Sequence, residues 1–350
     1  MSFSNRVNLL KNLEKIRGSN VICYLTSVRP NVMSVISSDA VRVLYDHLLL
    51  LPSKPVPKLD FFVCSNGGDG TVSWRLVSLL REFSETFNVI LPYRAYSAAT
   101  MIALGADEIV MHPLAEMGPI DPTVSNEFNP MDQMGRRLGI SVEDVKAYIN
   151  FIKSTVGITH EDELIEAIKI LADKVHPLAL GNVERFLAQS RMIAAKILRT
   201  HMKEDSEHTI HDIIENMASK LYFHGHPINR REAKQDLRLK IAENLPPETE
   251  TTIWDLYKDF EKEFKNDEAF NPHGDLAAMP PPAAVPPNPP TPKSKEYDLL
   301  HAIVESPRLS SQYVTKRRFT QISLQQPGQL AVQEEIISQA WSHSAAPAAQ

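Results

Sequence analysis

The stretch DFFVCSNGGDGTVSWRLVSLLREF, from Asp60 to Phe83, indicates the fold of this protein. It contains an apolar run, a turn with two adjacent glycines, and a segment whose apolar residues lie three and four positions apart. The apolar run is typical of a strand covered on both faces, and the later spacing is typical of a helix. The stretch therefore predicts one strand–turn–helix unit of an α/β fold with a mainly parallel sheet.

The sequence on either side repeats this alternation of short apolar runs and helical segments. Strands are predicted at Val21–Val28, Asp60–Ser65, Val89–Tyr93 and Glu108–Pro113, and helices at Ser37–Leu51, Gly70–Phe83 and Ser97–Ala106. From about residue 141 the pattern becomes helix after helix, so a helical C-terminal portion is expected to follow the sheet.

Composition narrows the classes of function. The 350 residues include 37 basic and 43 acidic side chains, a net charge of −6, which argues against a dedicated nucleic-acid binder. No apolar stretch approaches the roughly 18 residues that a membrane helix needs, so no integral membrane segment is expected. Cys23 and Cys64 lie in apolar runs without metal-binding spacing. We therefore expect reduced, buried thiols in a cytoplasmic protein.

Proline is unusually frequent, with 25 prolines against 13 glycines. Eight of them lie in PPPAAVPPNPPTP, residues 280–292, a composition that favours an extended spacer. The sequence therefore predicts a domain over residues 1–270, a proline-rich linker over 271–295 and a mostly flexible, disordered tail over 296–350. The linker and the tail are possible docking sites for a partner.

Two turns are candidates for chemistry. In SNGGDG, Gly67 and Gly68 end a strand and could present backbone N–H groups to a ligand, although glycines also occur in ordinary tight turns. In RAYSAATMIALGADEIVM, Ser97 begins a helix of small residues. It could be a nucleophile, with the N–H of Ala98 facing an oxyanion, or simply an N-cap.

These motifs carry a family resemblance. The double-glycine turn, the serine that opens the helix–strand pair AATMIALGADEIVM, and the later MGPIDP resemble the ClpP/crotonase superfamily. Within it, the chain is similar to the signal peptide peptidase A-like branch known as the serine dehydrogenase proteinase family. The match extends from about Asn12 to Leu237. It implies a repeated ββα core, a homo-oligomer and a serine peptidase that acts on peptides or proteins with a Ser–Lys dyad and no cofactor.

The resemblance also assigns roles to individual residues. Ser97 matches the nucleophile, Gly68 and Ala98 match the two backbone donors of the oxyanion hole, and Gly67 shapes the turn. The stretch GPIDPT lacks the histidine of Clp-type subunits, which favours a lysine as the base. YINFIKSTVG resembles the helix that supplies this lysine, so Lys153 is the candidate base and Lys146, two turns earlier, is the second choice. A lysine base needs an apolar setting that lowers its pKa.

Four other residues are weaker candidates. Asp121 in GPIDP could orient the base, although a rigid turn is the commoner role of such a residue. His224 and His226 lack a third ligand, so no metal site is expected. Thr100 could share protons with the nucleophile, or could stabilise its own helix.

Two functions compete with the peptidase. One is a catalytically inactive ClpP-like scaffold whose tail recruits partners. The other is an acyl-CoA enzyme of the crotonase type, since one fold serves many functions. The helix ATMIALGA carries no catalytic carboxylate, which disfavours the second alternative.

Overall fold

The computed structural model describes residues 3–120, 123–124, 126–132, 135, 137–203, 206–220, 226–280, 292–323 and 330–346. The chain divides into two compact units. The first comprises residues 1–66, 82–86 and 244–350, and the second comprises residues 67–81 and 87–243. The predicted domain ends at residue 270, whereas the first unit includes residues on both sides of that position.

Eleven α-helices lie in the described part of the chain. They are α1 (Phe3–Arg17), α2 (Asp39–Leu49), α3 (Gly70–Glu82), α4 (Ala98–Ala103), α5 (Val142–Asn150), α6 (Glu161–Lys174), α7 (Pro177–Leu198), α8 (Glu207–Glu215), α9 (Arg230–Gln235), α10 (Pro247–Phe264) and α11 (Pro272–Ala278). Two π-helical turns, Phe151–Thr155 and Asn216–Lys220, follow α5 and α8 directly. The helical portion predicted from residue 141 is therefore present.

Twelve strands are described in the same part of the chain. They are β1 (Asn20–Thr26), β2 (Val56–Cys64), β3 (Ser84–Leu91), β4 (Arg94–Ala95), β5 (Glu108–Met111), β6 (Glu116–Met117), β7 (Thr123–Val124), β8 (Ile140–Ser141), β9 (Ile228–Asn229), β10 (Ser294–Glu305), β11 (Leu309–Ser323) and β12 (Leu330–Ala345). The four strands predicted before residue 114 correspond to β1, β2, β3 and β5.

The first unit is built on a sheet with the strand order β12-β11-β10-β1-β2. β1 and β2 are parallel, and Ile22 lies opposite Phe61. β10 pairs with β1, β11 with β10 and β12 with β11, all antiparallel. The side chains of Ile22 and Phe61 are fully buried, as expected for strands that are covered on both faces. The unit thus has a parallel part, which was predicted, and an antiparallel part from the C-terminal residues, which was not.

The C-terminal strands correct the prediction of a mostly flexible tail over residues 296–350. β10, β11 and β12 occupy most of this range. They were missed because most side chains of β12 are exposed, so the strand lacks the apolar alternation of a half-buried strand. β10 is also held by a long-range contact, since Glu305 accepts two hydrogen bonds from the buried guanidinium of Arg6, at 2.7 and 2.8 Å.

The predicted linker over residues 271–295 is also shorter than expected. Helix α11 and the start of β10 lie inside it, and residues 281–291 lie outside the described residues. Asn271 caps α11, because its side-chain oxygen accepts a hydrogen bond from the N–H of Gly274 at 2.9 Å. This capping bond explains why a helix forms next to a proline-rich sequence.

The second unit contains β5, the part of β3 from Phe87 onward that pairs parallel with it, and a small sheet with the order β4-β6-β9. Segment 240–242 borders β5, where the N–H of Ile109 donates to Lys240 O at 2.9 Å and the N–H of Ala242 donates to Ile109 O at 2.8 Å. Helix α4 lies between β4 and β5 in sequence, and all six of its residues are buried. Together with the parallel β1–β2 pair of the first unit, this arrangement confirms the predicted α/β class.

Candidate functional site

The double-glycine turn lies against Ser97. Gly67 has φ +107° and Gly68 has φ +152°, backbone conformations that favour glycine. A Cβ atom added to Gly67 would lie 2.8 Å from the carbonyl oxygen of Tyr96 and 2.9 Å from Cβ of Ser97. No side chain fits there. The sequence therefore requires glycine at position 67 both for the turn and for the close approach to the serine.

Ser97 stands at the N-terminus of α4 with a strained backbone. Its φ of 49° and ψ of −110° belong neither to a helix nor to a strand. Such a conformation costs roughly 1–3 kcal/mol for a residue with a side chain. The side chain does not cap the helix, and its hydroxyl has no hydrogen-bond partner among the residues that the structure describes. Ser97 is half-buried. The geometry therefore does not support a simple N-cap role for Ser97.

Buried hydroxyl groups fix the beginning of α4. The hydroxyl of Thr100 lies 2.6 Å from Ala95 O and 2.9 Å from Gly118 O, and its proton is shared between these two carbonyl groups. The hydroxyl of Ser73, on α3, donates to Ala98 O at 2.7 Å. These bonds tie the turn around the serine to neighbouring elements of the same unit. Thr100 therefore has a structural role rather than a role in proton transfer.

The N–H of Ala98 lies next to Ser97. Ala98 is the first residue of α4, so its N–H has no partner inside the helix. No described residue accepts a hydrogen bond from Ala98 N. A Cβ added to Gly67 would lie 3.5 Å from Ala98 N, which places the glycine turn beside this donor. Free donors at a helix N-terminus are suited to an anion or a developing oxyanion.

A polar cluster next to the serine was missed in the sequence. The hydroxyl of Tyr96 donates to the carboxylate of Glu116, which also lies 3.2 Å from Nε of Arg94. Burial and the hydrogen bond to Glu116 raise the pKa of Tyr96, so the phenol stays protonated. A Cβ added to Gly118 would lie 2.6 Å from the Tyr96 ring. Only the pairing of β4 with β6, which sets Arg94 opposite Glu116, brings these residues together.

The two candidate lysines lie on α5 and the π-helical turn that follows it. Lys146 is half-buried on α5, and Lys153 is exposed in the turn. The predicted apolar setting of Lys153 is not present in this chain, because its neighbour Phe151 is itself 54% exposed. The pairing of Lys153 or Lys146 with Ser97 stays a prediction.

The weaker candidates have ordinary structural contacts or are not described. Asp121 and His224 lie outside the described residues. His226 Nε2 lies 2.8 Å from Oε1 of Glu232, a contact that ties the turn before β9 to helix α9. Cys23 and Cys64 are free and buried.

The fold and the serine turn agree with the family that the motifs indicate. Residues 2–133 match the family model described as ClpP-like SDH-type serine proteinase, which supports the family that the motifs indicate over this part of the chain. The matched residues include the double-glycine turn, Ser97 and helix α4. They end before α5, so both candidate lysines lie beyond them.

Two archaeal proteins and one solved structure are also similar to the chain. Uncharacterized protein MJ0137 of Methanocaldococcus jannaschii is 26% identical over 260 residues, which are 72% of this chain and 78% of that protein. Uncharacterized protein MJ1495 of the same organism is 30% identical over 125 residues, which are 34% of this chain and 42% of that protein. ClpP1 from Listeria monocytogenes is 15% identical with a TM-score of 0.34, over 67% of this chain and 96% of ClpP1.

Within the described ranges, no helix combines the length and the apolar character that crossing a bilayer requires.

Proposed function

We propose that the protein is a serine peptidase, a hydrolase of peptide bonds in which Ser97 is the nucleophile. The observation that carries this proposal is the strained Ser97 backbone, packed against Gly67, with a hydroxyl that no described residue uses. Backbone strain is found preferentially at functional sites. The family match over residues 2–133 supports the same class of enzyme.

In this proposal Lys153 is the general base, with Lys146 as the second choice. The Ser97 hydroxyl attacks the peptide carbonyl carbon while its proton passes to the uncharged lysine amine. The tetrahedral intermediate then collapses, the C–N bond breaks, and the leaving amine takes the proton from the lysine. Water hydrolyses the acyl ester, which releases the acid product and restores the Ser97 hydroxyl.

The N–H groups of Gly68 and Ala98 are proposed to form the oxyanion hole. The positive N-terminal end of α4 favours negative charge at the same place. Losing one such donor typically costs about 2.7–4 kcal/mol of transition-state stabilisation. Because both donors belong to the backbone, they are tested by disturbing the turn rather than by removing a side chain.

A lysine acts as a general base where an apolar environment surrounds its amine, and Lys153 is exposed in this chain. The proposal therefore requires that the bound substrate or a second copy of the chain buries Lys153. Self-association is part of the proposal for this reason. So is a cytoplasmic location, which the two free, buried cysteines support.

The exposure of Lys153 favours one alternative, an inactive scaffold that keeps the serine turn but lacks a functioning base. Such a protein would bind partners without cleaving them. Partner docking on the C-terminal residues 271–350 would then be the function.

A fluorophosphonate probe, which reacts with activated serines, tests the proposal. We expect covalent labelling of the wild type at Ser97, no labelling of S97A, and unchanged labelling of S38A. Ser38 is a matched control, because it is also an N-cap serine whose side chain makes no capping bond. Labelling of S97A at the wild-type level would remove the assignment, and an unlabelled wild type without peptide cleavage would favour the scaffold.

A further inference from the structure

Strand β12 forms an open edge of the sheet in the first unit. It is 16 residues long and is the last strand in the order β12-β11-β10-β1-β2. β11 is its only partner among the described strands, so the N–H and C=O groups on the other side have no strand to pair with there. An open edge of this length is a site where another strand can add.

The two halves of β12 differ in charge. Glu334 and Glu335 lie in the first half and bind arginines on β11, with Glu334 2.6 Å from Arg317 and Glu335 3.2 Å from Arg318. The second half, from Ile336 to Ala345, reads IISQAWSHSA and contains no acidic, lysine, arginine or proline residue. It thus lacks the charges and prolines that usually protect a sheet edge from pairing.

The boundary between the halves is a β-bulge. Arg317 pairs with Ile336 and Lys316 pairs with Ser338, so Ile337 is the extra residue in β12. Bulges often mark the point where regular pairing ends. Ile336 and Ile337 are 54% and 40% exposed, and every later side chain of the strand except that of Trp341 is exposed as well. The second half is therefore a regular, uncharged strand with little burial of its own.

We propose that two copies of this chain associate through Ile336–Ala345 of β12, paired antiparallel about a two-fold axis beside Ala340. In this register Ser338 lies opposite Ser342 of the second copy, and Ile337 lies opposite His343 of the second copy. Glu334 and Glu335 fall at or beyond the end of the paired segment, so no like charges face each other. Each outward-facing backbone group in the segment gains a partner.

A second copy is favoured over an unrelated peptide because the segment complements itself. The segment has no aspartate, glutamate, lysine or arginine, and its one histidine, His343, lies opposite Ile337 of the second copy, so like charges do not face each other. The two-fold axis closes the assembly at two chains per edge. A parallel, in-register arrangement would place Glu334 beside its own copy and is disfavoured by charge. This interface consists of Ile336–Ala345 of both copies and does not depend on the chemistry of Ser97.

Charged residues introduced at the two positions that face each other across the two-fold axis, 338 and 342, test the proposed register. S338K/S342K places lysines opposite lysines and should halve the mass of the assembly measured by light scattering after size-exclusion chromatography. S338K/S342E places opposite charges together and should keep the wild-type mass. Both pairs of substitutions fall on exposed side chains. A wild type that is monomeric, or equal masses for the two double variants, would overturn the inference.

A cysteine cross-link provides a second measurement. Directly opposite residues of antiparallel strands have Cα atoms about 4.5–5.5 Å apart, which is within the range of a disulfide. A340C treated with diamide should therefore form a covalent dimer, whereas Q333C, equally exposed but in the charged half, should not. Cys23 and Cys64 are buried and do not interfere. Failure of A340C to cross-link, with an oligomeric wild type, would place self-association elsewhere without touching the peptidase proposal.

Discussion

Helices α2 and α4 both begin at a serine whose side chain does not cap the helix, but the two serines differ in backbone conformation. Ser38, before α2, has φ −67° and ψ −22°, close to helical values. Ser97, before α4, has φ 49° and ψ −110°. Ser38 is exposed, whereas Ser97 is half-buried and touches a glycine turn. The same residue type at the same kind of position thus has two different environments.

The difference teaches that the strain at Ser97 is not required to start a helix. Helix α2 starts without it, and α2 is the longer of the two, with 11 residues against six. The strain must be held by the surrounding contacts, and the buried bonds of Thr100 and Ser73 to the backbone near α4 supply them. The strained backbone of Ser97 and its unused hydroxyl therefore support the proposal that this serine is a nucleophile.

The largest expected effect concerns the proposed general base, because an activating lysine would make Ser97 a nucleophile and leave Ser38 unreactive. K153A should lower the rate of peptide cleavage by about 10²–10⁴-fold, the usual contribution of a general base. K146A should leave the rate close to that of the wild type, because the first choice in the proposal gives Lys146 no part in proton transfer. Cleavage of a fluorogenic peptide mixture by both variants and the wild type measures this.

The reverse result, with K146A inactive and K153A active, would mean that Lys146 and not Lys153 is the general base. Full activity in both variants would refute the lysine base and leave Ser97 without its proposed activator. The fold of each variant is checked by thermal unfolding, since either position could affect the stability of α5.

The second largest effect concerns the close packing of Gly67 against Ser97. In G67A the new Cβ would overlap the Tyr96 carbonyl oxygen and Cβ of Ser97, and φ +107° is unfavourable for alanine. We expect the labelling rate at Ser97 to fall by about 10²-fold, since small displacements of a nucleophile have effects of this size. The rate of fluorophosphonate labelling measures it.

G18A is the matched control for G67A. Gly18 also has a positive φ, of 58°, but a Cβ added there meets nothing within 4 Å. G18A should lose only about 1 kcal/mol of stability from backbone strain and should keep the wild-type labelling rate. Equal labelling of G67A and G18A would mean that contact with the glycine turn does not position Ser97.

Local features of the candidate site could be read from the sequence. Gly67, Gly68 and Ser97 were identified because glycines and a serine at strand–helix junctions can present backbone N–H groups and a hydroxyl to a ligand, although such residues also occur in ordinary turns and caps. The parallel strands were predicted because burial on both faces leaves continuous apolar runs. Each of these signals lies within a few residues of the feature that it predicts.

Long-range features could not be read in the same way. The contact between Tyr96 and Glu116 depends on the pairing of β4 with β6, which no local pattern specifies. Strand β12 carries mostly polar, exposed residues and is ordered by its hydrogen bonds to β11, so its sequence resembles that of a flexible tail. The surroundings of Lys153 likewise depend on residues that are distant in the sequence or belong to another molecule.

A smaller effect, on stability, concerns the buried polar residue of α2. His47 lies between the hydroxyls of Ser306 and Ser311, at 3.3 and 3.0 Å, and Ser311 also contacts His343. Burial, with a contribution from His343, lowers the pKa of His47 to about 3. The folded protein therefore keeps this imidazole neutral, while the unfolded chain binds a proton below about pH 6.5. As the pH falls from 7 to 5, His47 should reduce the free energy of unfolding by about 2 kcal/mol.

Urea unfolding of the wild type and H47Q at pH 7 and pH 5 measures this loss. Glutamine keeps a donor and an acceptor for the two serines but does not ionise. The wild type should therefore lose about 2 kcal/mol more than H47Q between the two pH values. Fluorophosphonate labelling at pH 7 should be the same in both proteins, because His47 is not part of the proposed site. Parallel loss of stability in both proteins would show that His47 titrates normally.

The smallest effect concerns the bond that fixes the start of α4. T100V keeps the shape of the side chain but removes the proton shared by Ala95 O and Gly118 O, so it should lower the free energy of unfolding by about 1–2 kcal/mol. S38A at the start of α2 loses no capping bond and should change stability by less than about 0.5 kcal/mol. If the bond also holds the strain, T100V should slow labelling of Ser97, and T100S should restore it because the hydroxyl returns. Equal stability of T100V and S38A in urea unfolding would mean that the buried hydroxyl does not maintain the serine turn, and the strain would then depend on the glycine contact alone.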